Sequence, residues 1–343
     1  MRERRKTVMI QKNSIDIVVT WVDGGDPLWQ KEKKKYLGIP ETDDRPERYR
    51  DWEILKYWFR GVEKCAPWAE KIHFVTWGHL PEWLNTECSR LNIVRHEDFI
   101  PAEYLPTFNS HTIEFNMHRI KGLSERFLYL NDDMFFLQET SEEDFFVGNL
   151  PKDMLAFQPV VANPKNPVMS HLYLNNALVL SKYFDKRQNV RKQPEKYFHI
   201  GYPPMYFFYN MLELAFPKFT GFYTVHGPFP FLKSSFEMVW EREEQLLEET
   251  CRHKFRSKDD VSPYLIREWK KLLGEFSPSN PAKNFKYFDI DNSNKKLLET
   301  IRGRTAKTIC INDANEEIEF ERVSREIRSE FEKIFPEKSS FEK

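Results

Sequence analysis

Short runs of apolar residues recur along the first part of the chain, and segments with apolar residues at every third or fourth position separate them. An unbroken apolar run is typical of a strand buried on both faces, and the wider spacing is typical of a helix packed on one face. The predicted strands are 15–20, 71–76, 91–94 and 127–131, and the predicted helices among them are 51–64 and 110–122. This alternation predicts an α/β fold with a mostly parallel sheet flanked by helices.

The pattern becomes less regular after residue 154. Helical spacing returns at 172–183 and 236–251, and a passage rich in proline and aromatic residues lies between 197 and 231. A turn-forming segment at 276–284 precedes a last short strand, 308–313, and a helix with an apolar stripe from Phe320 to Ile334. We therefore interpret 154–284 as a mainly helical insertion or lid, and 15–153 together with 285–343 as the α/β core.

The composition narrows the class of protein. With 52 basic and 53 acidic residues among 343, the net charge gives no reason to expect a nucleic-acid partner. No apolar stretch is long enough for a transmembrane helix, and the basic segment 1–14 lacks the apolar core of a signal peptide. The four cysteines form no CxxC pair, which predicts neither a disulfide framework nor a zinc site. We expect a cytoplasmic protein.

Two adjacent carboxylates, Asp132 and Asp133, follow Asn131 at the end of the predicted strand 127–131. Open α/β sheets bind ligands at the carboxyl ends of their strands. Adjacent carboxylates repel each other, and a divalent cation or a basic cluster offsets that repulsion in a buried site. A solvated turn, of the kind that Asn and Asp favour, tolerates them equally. The spacing alone leaves both interpretations open.

A second acidic turn, Asp23-Gly24-Gly25-Asp26, follows the first predicted strand. Its glycines allow backbone amides to approach a ligand, and a strand followed by a glycine-rich turn and a helix is a nucleotide-binding arrangement. The sequence lacks the GxGxxG and P-loop patterns, so this signal is not specific. A tight turn that only closes the strand is the alternative.

Three further groups of polar residues could carry chemistry: Asn109, Ser110, His111 and Glu114 around the start of the predicted helix 110–122, then His226 before a Gly-Pro pair, and then Arg256. With the acidic turns they supply carboxylates, an imidazole and a guanidinium. Phosphoryl transfer uses that inventory, because its transition state gains from a cation, an arginine and a group that accepts a proton. Each group is ambiguous alone, since Ser110 can cap the helix and His226 can be an ordinary loop residue.

Longer motifs resemble one protein family. They are IDIVVTWVDGGDP (15–27), APWAEKIHFVTWG (66–78), LPTFNSHTIEFNMHRIKGLSERFLYLNDDMFF (105–136), HGPFPFLKSSFEMVWE (226–241), TCRHKFRS (250–257), TICIND (308–313) and FPEKSSFEK (335–343). In this order, and over nearly the whole chain, they resemble the Stealth family. In that family, bacterial capsular polysaccharide phosphotransferases are similar to the catalytic subunit of the lysosomal-enzyme N-acetylglucosamine-1-phosphotransferase.

The resemblance implies a nucleotide-sugar-binding core of the Rossmann or GT-A-like kind. It also implies transfer of a sugar 1-phosphate from a nucleotide diphosphate sugar, usually a UDP-sugar, to a hydroxyl of an acceptor glycan. Carried over by motif, it implies catalytic roles for Glu114, Asp133, His226 and Arg256. We expect Asp132 and Asp133 to bind Mg²⁺ or Mn²⁺, Arg256 to hold the transferred phosphate, and Glu114 or His226 to accept the proton of the acceptor.

Further roles follow from the same motifs. An orienting or structural role is expected for Asp313, in the last block. Substrate-binding roles are expected for Asp23, Gly24, Gly25, Asp26, Asn109, Ser110, His111 and Asn131.

The family's eukaryotic members differ from this chain. No inserted domains interrupt its motifs and no membrane anchor precedes Ile15, so we expect a compact bacterial enzyme of capsule or surface polysaccharide synthesis. The expected acceptor is a glycan or a lipid-linked glycan. The basic segment 1–14 allows peripheral contact with the inner face of the cell membrane. The motifs specify neither the sugar nor the oligomeric state.

Two alternatives stay open. A conventional metal-dependent glycosyltransferase would hold a UDP-sugar with the same acidic motif but would attack the anomeric carbon and release UDP. A carbohydrate-binding or assembly component would need only the aromatic residues, which are 15% of the chain. For that component, replacing Asp133 would change nothing except stability.

Overall fold

A computed structural model describes residues 14–36, 50–164, 166–313 and 317–343. Of the basic segment 1–14, all but Ser14 lies outside the described residues. The strands are β1 (Ile15–Thr20), β2 (Ile72–Thr76), β3 (Leu91–Arg95), β4 (Arg126–Asn131), β5 (Met134–Phe136), β6 (Phe146–Val147), β7 (Leu150–Asp153), β8 (Phe229–Leu232), β9 (Ser277–Pro278), β10 (Phe285–Asp289) and β11 (Thr308–Asn312). The helices are α1 (Pro27–Lys34), α2 (Leu55–Cys65), α3 (Ser110–Asn116), α4 (Pro167–Tyr183), α5 (Lys186–Lys192), α6 (Pro194–Tyr197), α7 (Pro204–Glu213), α8 (Lys233–Arg252), α9 (Tyr264–Leu273), α10 (Lys295–Gly303) and α11 (Phe320–Ile334).

The main sheet has five strands in the order β3-β2-β1-β4-β8. The first four are parallel, and β8 closes one edge antiparallel to β4. β1 and β4 are apolar on both faces because helices and loops cover the sheet on both sides. Their register places Thr20 opposite Asn131, so both strands end at the same edge. The predicted fold class, α/β with a mostly parallel sheet flanked by helices, is confirmed.

A second sheet begins where the first one ends. β5 follows β4 after only Asp132 and Asp133, and it pairs antiparallel with β11, which lies parallel to β10. The backbone N–H of Ile311 donates to the carbonyl oxygen of Asp133 at 2.8 Å. The two aspartates therefore form the junction between two sheets, fixed on one side by β4 and on the other by β11.

The five predicted strands are confirmed within one residue at each end, as β1, β2, β3, β4 and β11. The predicted helix 110–122 is shorter than expected. α3 ends at Asn116 and tightens into a 3-10 turn at Met117–Arg119. The rest of that segment is still buried, with Ile120 and Leu123 only 1% and 6% exposed, so its apolar positions serve packing without extending the helix.

The segment 154–284 is mostly helical and also takes part in the main sheet. It contributes α4 to α9 and the edge strand β8, which pairs with β4 from Arg126↔Leu232 to Tyr129↔Phe229. Pro230 lies inside β8, and proline is tolerated there because β8 is an edge strand. The division into a core and an insertion at these residue numbers remains a prediction.

A buried ion pair joins two parts of this segment to the end of β7. Arg267 of α9 donates through Nη2 to Asp153 Oδ1 at 2.8 Å and through Nε to Asp153 Oδ2. Its Nη1 also donates to the carbonyl oxygen of Val225 at 3.1 Å. The pair therefore ties the end of β7 and helix α9 to the loop that carries His226.

We expect Arg267→Met to lower the free energy of unfolding by about 3–5 kcal/mol, because it removes the hydrogen-bonded partner of the buried Asp153 carboxylate and leaves only the charge of Lys271, which pairs with Glu268. Denaturation in urea measures the change. Arg302→Met is the matched control, since Arg302 is 62% exposed beside Glu330 and exposed ion pairs contribute little to stability. Equal losses in the two variants would contradict a structural role for the Arg267 pair.

Candidate active site

A cavity of about 880 Å³ opens at the carboxyl ends of β1, β4 and β11. This size lies in the upper part of the range of small-molecule sites, roughly 300–1,000 Å³. Thr20, Asn131 and Asn312 line it from the ends of the three strands. The site lies where an α/β sheet is expected to bind a ligand, because parallel strands present their terminal loops along one edge.

Glu114 enters the cavity from α3. Asn109 caps this helix by accepting a hydrogen bond from the backbone N–H of His111 at 3.1 Å, so the helix begins beside the cavity. The hydroxyl of Tyr129, on β4, donates to Glu114 Oε1 at 3.3 Å. Burial raises the pKa of Glu114 to about 7, while the charge of Arg256 and the hydroxyls of Ser110 and Tyr129 act in the opposite direction. A carboxyl with such a pKa accepts or releases a proton near neutral pH.

Arg256 reaches the same helix from the loop after α8. Its guanidinium donates to the hydroxyl oxygen of Ser110 through Nη2 at 2.6 Å and through Nε at 3.2 Å. Phe255 anchors the loop, since its ring stacks on Phe108 at 5.4 Å between centroids. An arginine has five N–H donors on three nitrogens, and Ser110 accepts hydrogen bonds from two of those nitrogens, Nε and Nη2. Arg256 therefore lines the cavity and places a positive charge, fixed by Ser110, beside Glu114.

Asp133 lies close to His226 and Cys310, which come from two other segments of the chain. Single ligand atoms of Asp133, His226 and Cys310 all lie within 4.8 Å of one another. The Cys310 thiol donates to Asp133 Oδ2 at 3.4 Å, and burial together with Asp133 holds the pKa of that thiol well above its usual range. Asp133 Oδ1 is buried without a hydrogen-bond partner. A divalent cation is consistent with this cluster, since it would satisfy that oxygen.

Asp132 faces the open space of the cavity. Although the residue is exposed to that space, the protein around it raises its pKa to about 8, first by partial desolvation and then through the negative charge of Asp133. Burial raises the pKa of Asp133 as well, and His226 opposes that rise. Two carboxyls held side by side in this way favour a nearby cation, which would lower both pKa values.

His226 is held by its loop and by α9. Its Nδ1 lies 3.0 Å from the hydroxyl of Tyr264, and burial lowers the pKa of the imidazole. Gly227 follows, and a Cβ there would lie 3.0 Å from the ring of Phe285. The glycine thus lets the loop lie against β10, which brings His226 to the second sheet and to Asp133.

Asp260 is a residue that the sequence analysis missed. Its carboxylate is fully buried and accepts hydrogen bonds from Asn109 Nδ2 at 2.9 Å and from the backbone N–H of Ser257 at 3.0 Å. His253 Nδ1 lies 2.5 Å from it and His111 Nδ1 lies 3.8 Å away. Asp260 therefore fastens the loop of Arg256 to the start of α3. The sequence gives no signal for it, since Asp259 beside it is equally acidic but exposed.

The predicted substrate-binding residues fall into two groups. Ser110, His111 and Asn131 line the cavity, whereas Asn109 is fully buried behind it, between the start of α3 and Asp260. The Asp23–Asp26 turn lies beside the cavity and outside its lining. Asp26 has a structural role, since it caps α1 by accepting hydrogen bonds from the backbone N–H groups of Leu28 and Trp29 at 2.7 and 2.9 Å. The backbone N–H of Asp23 donates to His79 Nε2 at 2.7 Å.

Asp313 lines the cavity at the end of β11. Trp52 Nε1 donates to its Oδ2 at 3.1 Å, and Arg50 Nη1 lies 3.4 Å from the same oxygen. Arg50, Asp51 and Trp52 line the cavity too, and the sequence analysis gave them no role. No sequence motif links these three residues to the acidic turns, and only the fold brings them close to those turns.

The sequence matches two family models. Residues 13–40 match the model described as Stealth protein CR1, conserved region 1, and residues 48–153 match Stealth protein CR2, conserved region 2. A capsular polysaccharide phosphotransferase of Streptococcus pneumoniae is 40% identical over 96% of this chain and 99% of its own length. An exopolysaccharide phosphotransferase of Lactiplantibacillus plantarum is 38% identical over 96% of both chains. A receptor polysaccharide phosphotransferase of Streptococcus oralis is 35% identical over 96% of this chain and 99% of its own.

Solved structures resemble the chain only distantly. The glycosyltransferase GlyE of Streptococcus pneumoniae superposes with a TM-score of 0.38 and 10% identity, over 96% of this chain and 66% of its own.

We expect Asp260→Asn to weaken the support of Arg256. Because Asp260 raises the pKa of His253, the imidazole pKa should fall toward about 6.5, as NMR titration of the histidines measures. Loss of charged hydrogen bonds should also lower the free energy of unfolding by about 1.5–3 kcal/mol. Asp259→Asn, at the exposed neighbour, is the control: it removes only a smaller charge effect on His253, so the imidazole pKa should fall less and the free energy of unfolding should stay unchanged. An unchanged His253 titration in Asp260→Asn would contradict this account.

Proposed function

This chain belongs to the Stealth family of polysaccharide phosphotransferases, and on that premise we propose that it transfers a sugar 1-phosphate from a UDP-sugar to a hydroxyl of an acceptor glycan. The resemblance that its sequence motifs predict is confirmed. The chain is an enzyme of capsular or exopolysaccharide synthesis, of the phosphotransferase class. The proposal adds the donor, the bonds that change and the residues that act.

The proposed reaction is a substitution at phosphorus. The acceptor hydroxyl attacks the phosphorus that carries the sugar, the bridging phosphoanhydride bond breaks, and UMP leaves with the bond's electron pair. The glycosidic C–O bond of the donor is kept. The product is a phosphodiester between the sugar and the acceptor, and the hydroxyl proton passes to a base of the enzyme.

One observation carries the proposal: Glu114, with a pKa of about 7, lies in the same cavity as the guanidinium of Arg256, and Ser110 lies between them. Near neutral pH Glu114 is partly ionised and accepts the proton of the attacking hydroxyl. The sequence left Glu114 and His226 unranked as the base. We favour Glu114, because His226 already contacts Tyr264 through Nδ1 and faces the cluster around Asp133.

Arg256 is proposed to hold the transferred phosphate. Its hydrogen bonds to Ser110 fix the guanidinium plane before substrate arrives, so little reorganisation is needed as charge develops on the phosphate oxygens. Asp260 keeps the loop of Arg256 in place from behind. Aromatic side chains on the cavity wall, among them Tyr173, Tyr264 and Phe222, offer surfaces for the base and the sugars.

Asp133 and Asp132 are the proposed ligands of Mg²⁺ or Mn²⁺. The residues fit a hard divalent cation, since Asp133 Oδ1 is buried without a hydrogen-bond partner and both carboxyls have raised pKa values. When bound, such a cation neutralises charge on the diphosphate and on its leaving oxygen. His226 and the protonated thiol of Cys310 hold the Asp133 carboxylate in position around it.

The acceptor is proposed to be a glycan, free or lipid-linked. The basic segment 1–14, proposed to touch the membrane, lies outside the described residues apart from Ser14. Among the residues that the structure describes, none of the helices is both apolar enough and long enough to cross a bilayer.

We expect the purified protein, given Mg²⁺, a short capsule-type acceptor and a series of UDP-sugars, to release UMP and to place phosphorus in the glycan, as phosphorus-31 NMR detects. Asp133→Asn should reduce the rate at least about a hundredfold, and chelation should abolish it until Mg²⁺ is restored. Asp98→Asn, an exposed aspartate, should retain activity. Release of UDP with a phosphorus-free product would replace this proposal with a conventional glycosyltransferase.

The pH dependence tests Glu114. Because the base must be deprotonated, kcat/KM should rise with pH through about 7 and then level off. Glu114→Gln should lose this rising limb and about 10²–10⁴ of the rate. Glu103→Gln, at an exposed position, should retain both. If the limb persists in Glu114→Gln, another group, with His226 first in order, accepts the proton.

A further inference from the structure

Helix α7 packs with its polar side inward. Asn210 is fully buried, accepts from the backbone N–H of Phe157 at 2.7 Å and donates to the carbonyl oxygen of Tyr197 at 2.7 Å. Glu213, only 3% exposed, accepts from Lys186 Nζ at 2.9 Å. A surface helix normally buries its apolar stripe and exposes polar residues. α7 does the reverse, and its apolar residues face outward.

The outward side is large and strongly apolar. We call it the α7 ridge, and it comprises Ile200, Met205, Phe207, Phe208, Met211, Leu212 and Phe216. Within it, Ile200 is 98% exposed, Phe208 57% and Met211 55%. Single exposed apolar residues are ordinary, but a concentration of this kind marks an interaction surface.

The charges around the ridge favour a negatively charged partner. Between 198 and 217 the only residue with a formal charge at neutral pH is Glu213, which Lys186 already pairs. The neighbouring helix α5 and the chain after α7 expose Arg187, Arg191, Lys192 and Lys218. Exposed acidic residues in the same stretch are fewer, namely Asp185 and Glu195. The ridge is thus an uncharged apolar surface, and the exposed charges of the adjoining chain, which we call its basic border, are mainly positive.

The ridge is connected directly to the wall of the active-site cavity. The strip from Gln158 to Val161 lines the cavity, and the residue before it, Phe157, holds Asn210 of α7. Val160 N–H donates to the carbonyl oxygen of Thr220 at 3.0 Å. Gly221 has a φ of +146°, and a Cβ there would lie 2.5 Å from the carbonyl oxygen of Gln158. The chain after α7 is therefore bound closely to the cavity wall.

We propose that the α7 ridge docks on the surface of a lipid bilayer that contains anionic lipids. Helices that lie in the membrane interface combine aromatic and aliphatic residues on one side with lysine and arginine beside them, which is the composition found here. Anionic headgroups complement the basic border, and the acyl boundary accepts the side chains of Phe208, Met211 and Phe216. The ridge contains none of the proposed catalytic residues, so the docking does not depend on which reaction the cavity carries out.

A second copy of the chain fits less well. In a two-fold symmetric pair the same patch meets itself, so the basic border of one copy would meet the basic border of the other. A stable interface also needs about 800 Å² from each partner with polar groups that match. The ridge offers few exposed polar partners, and a bilayer requires none.

The test is co-sedimentation of the full chain with vesicles of phosphatidylcholine, with and without phosphatidylglycerol. We expect binding to the phosphatidylglycerol vesicles and weaker binding to phosphatidylcholine alone. The double variant Phe208→Ser, Met211→Ser should reduce the partition coefficient at least about tenfold. Val147→Ser is the matched control, because Val147 on β6 is 50% exposed and lies outside the ridge, and it should bind as the original chain does.

Hydrogen–deuterium exchange on the unaltered chain makes the test independent of how the double variant folds. Docking should slow exchange at 199–217 when phosphatidylglycerol vesicles are added, and leave β1 unchanged. Absence of binding, or equal binding by the ridge and Val147 variants, would overturn the proposal. A dimer seen by light scattering that the ridge variant converts to a monomer would overturn it too, since a second copy would then cover the ridge.

Discussion

The active site depends on keeping like charges together inside a cavity. Glu114, Asp132 and Asp133 line one cavity at the end of the sheet, and desolvation raises the pKa of each carboxyl. In a medium of low polarity, such a group of acids is stable only with positive charge or shared protons close by. Arg256 supplies a fixed positive charge beside Glu114. For the pair of aspartates we propose a divalent cation in the same role.

Arg256 and His226, which face these carboxyls, come from distant parts of the chain. Buried residues behind the cavity hold the loops that carry them. Asp260 fastens the Arg256 loop to the start of α3, and Arg267 ties the His226 loop to β7. Asp260 and Arg267 do not line the cavity themselves. They fix the positions of Arg256 and His226, because a side chain shifts when its supporting loop shifts.

The sequence predicted β11 and the four parallel strands of the main sheet well, and it missed the other strands and the supporting contacts, for physical reasons. β1 and β4 are buried on both faces, so their apolar runs are visible without knowledge of their partners. β8 contains Pro230 and was missed, since an edge position that tolerates proline cannot be recognised before the sheet is assembled. Asp260 is an acid next to another acid, and only the fold separates the buried one from the exposed one. α7 is apolar in sequence, but nothing in its spacing reveals that the apolar side faces outward.

The passage from β4 to β5 has a mechanical consequence. Only Asp132 and Asp133 connect the two strands, so the Cα atoms of Asn131 and Met134 are at most about 11 Å apart. This short connection, with the hydrogen bond from Ile311 to the carbonyl oxygen of Asp133, limits how far the two sheets can shift against each other at this point. The position of the acidic pair is therefore set by the backbones of two sheets at once.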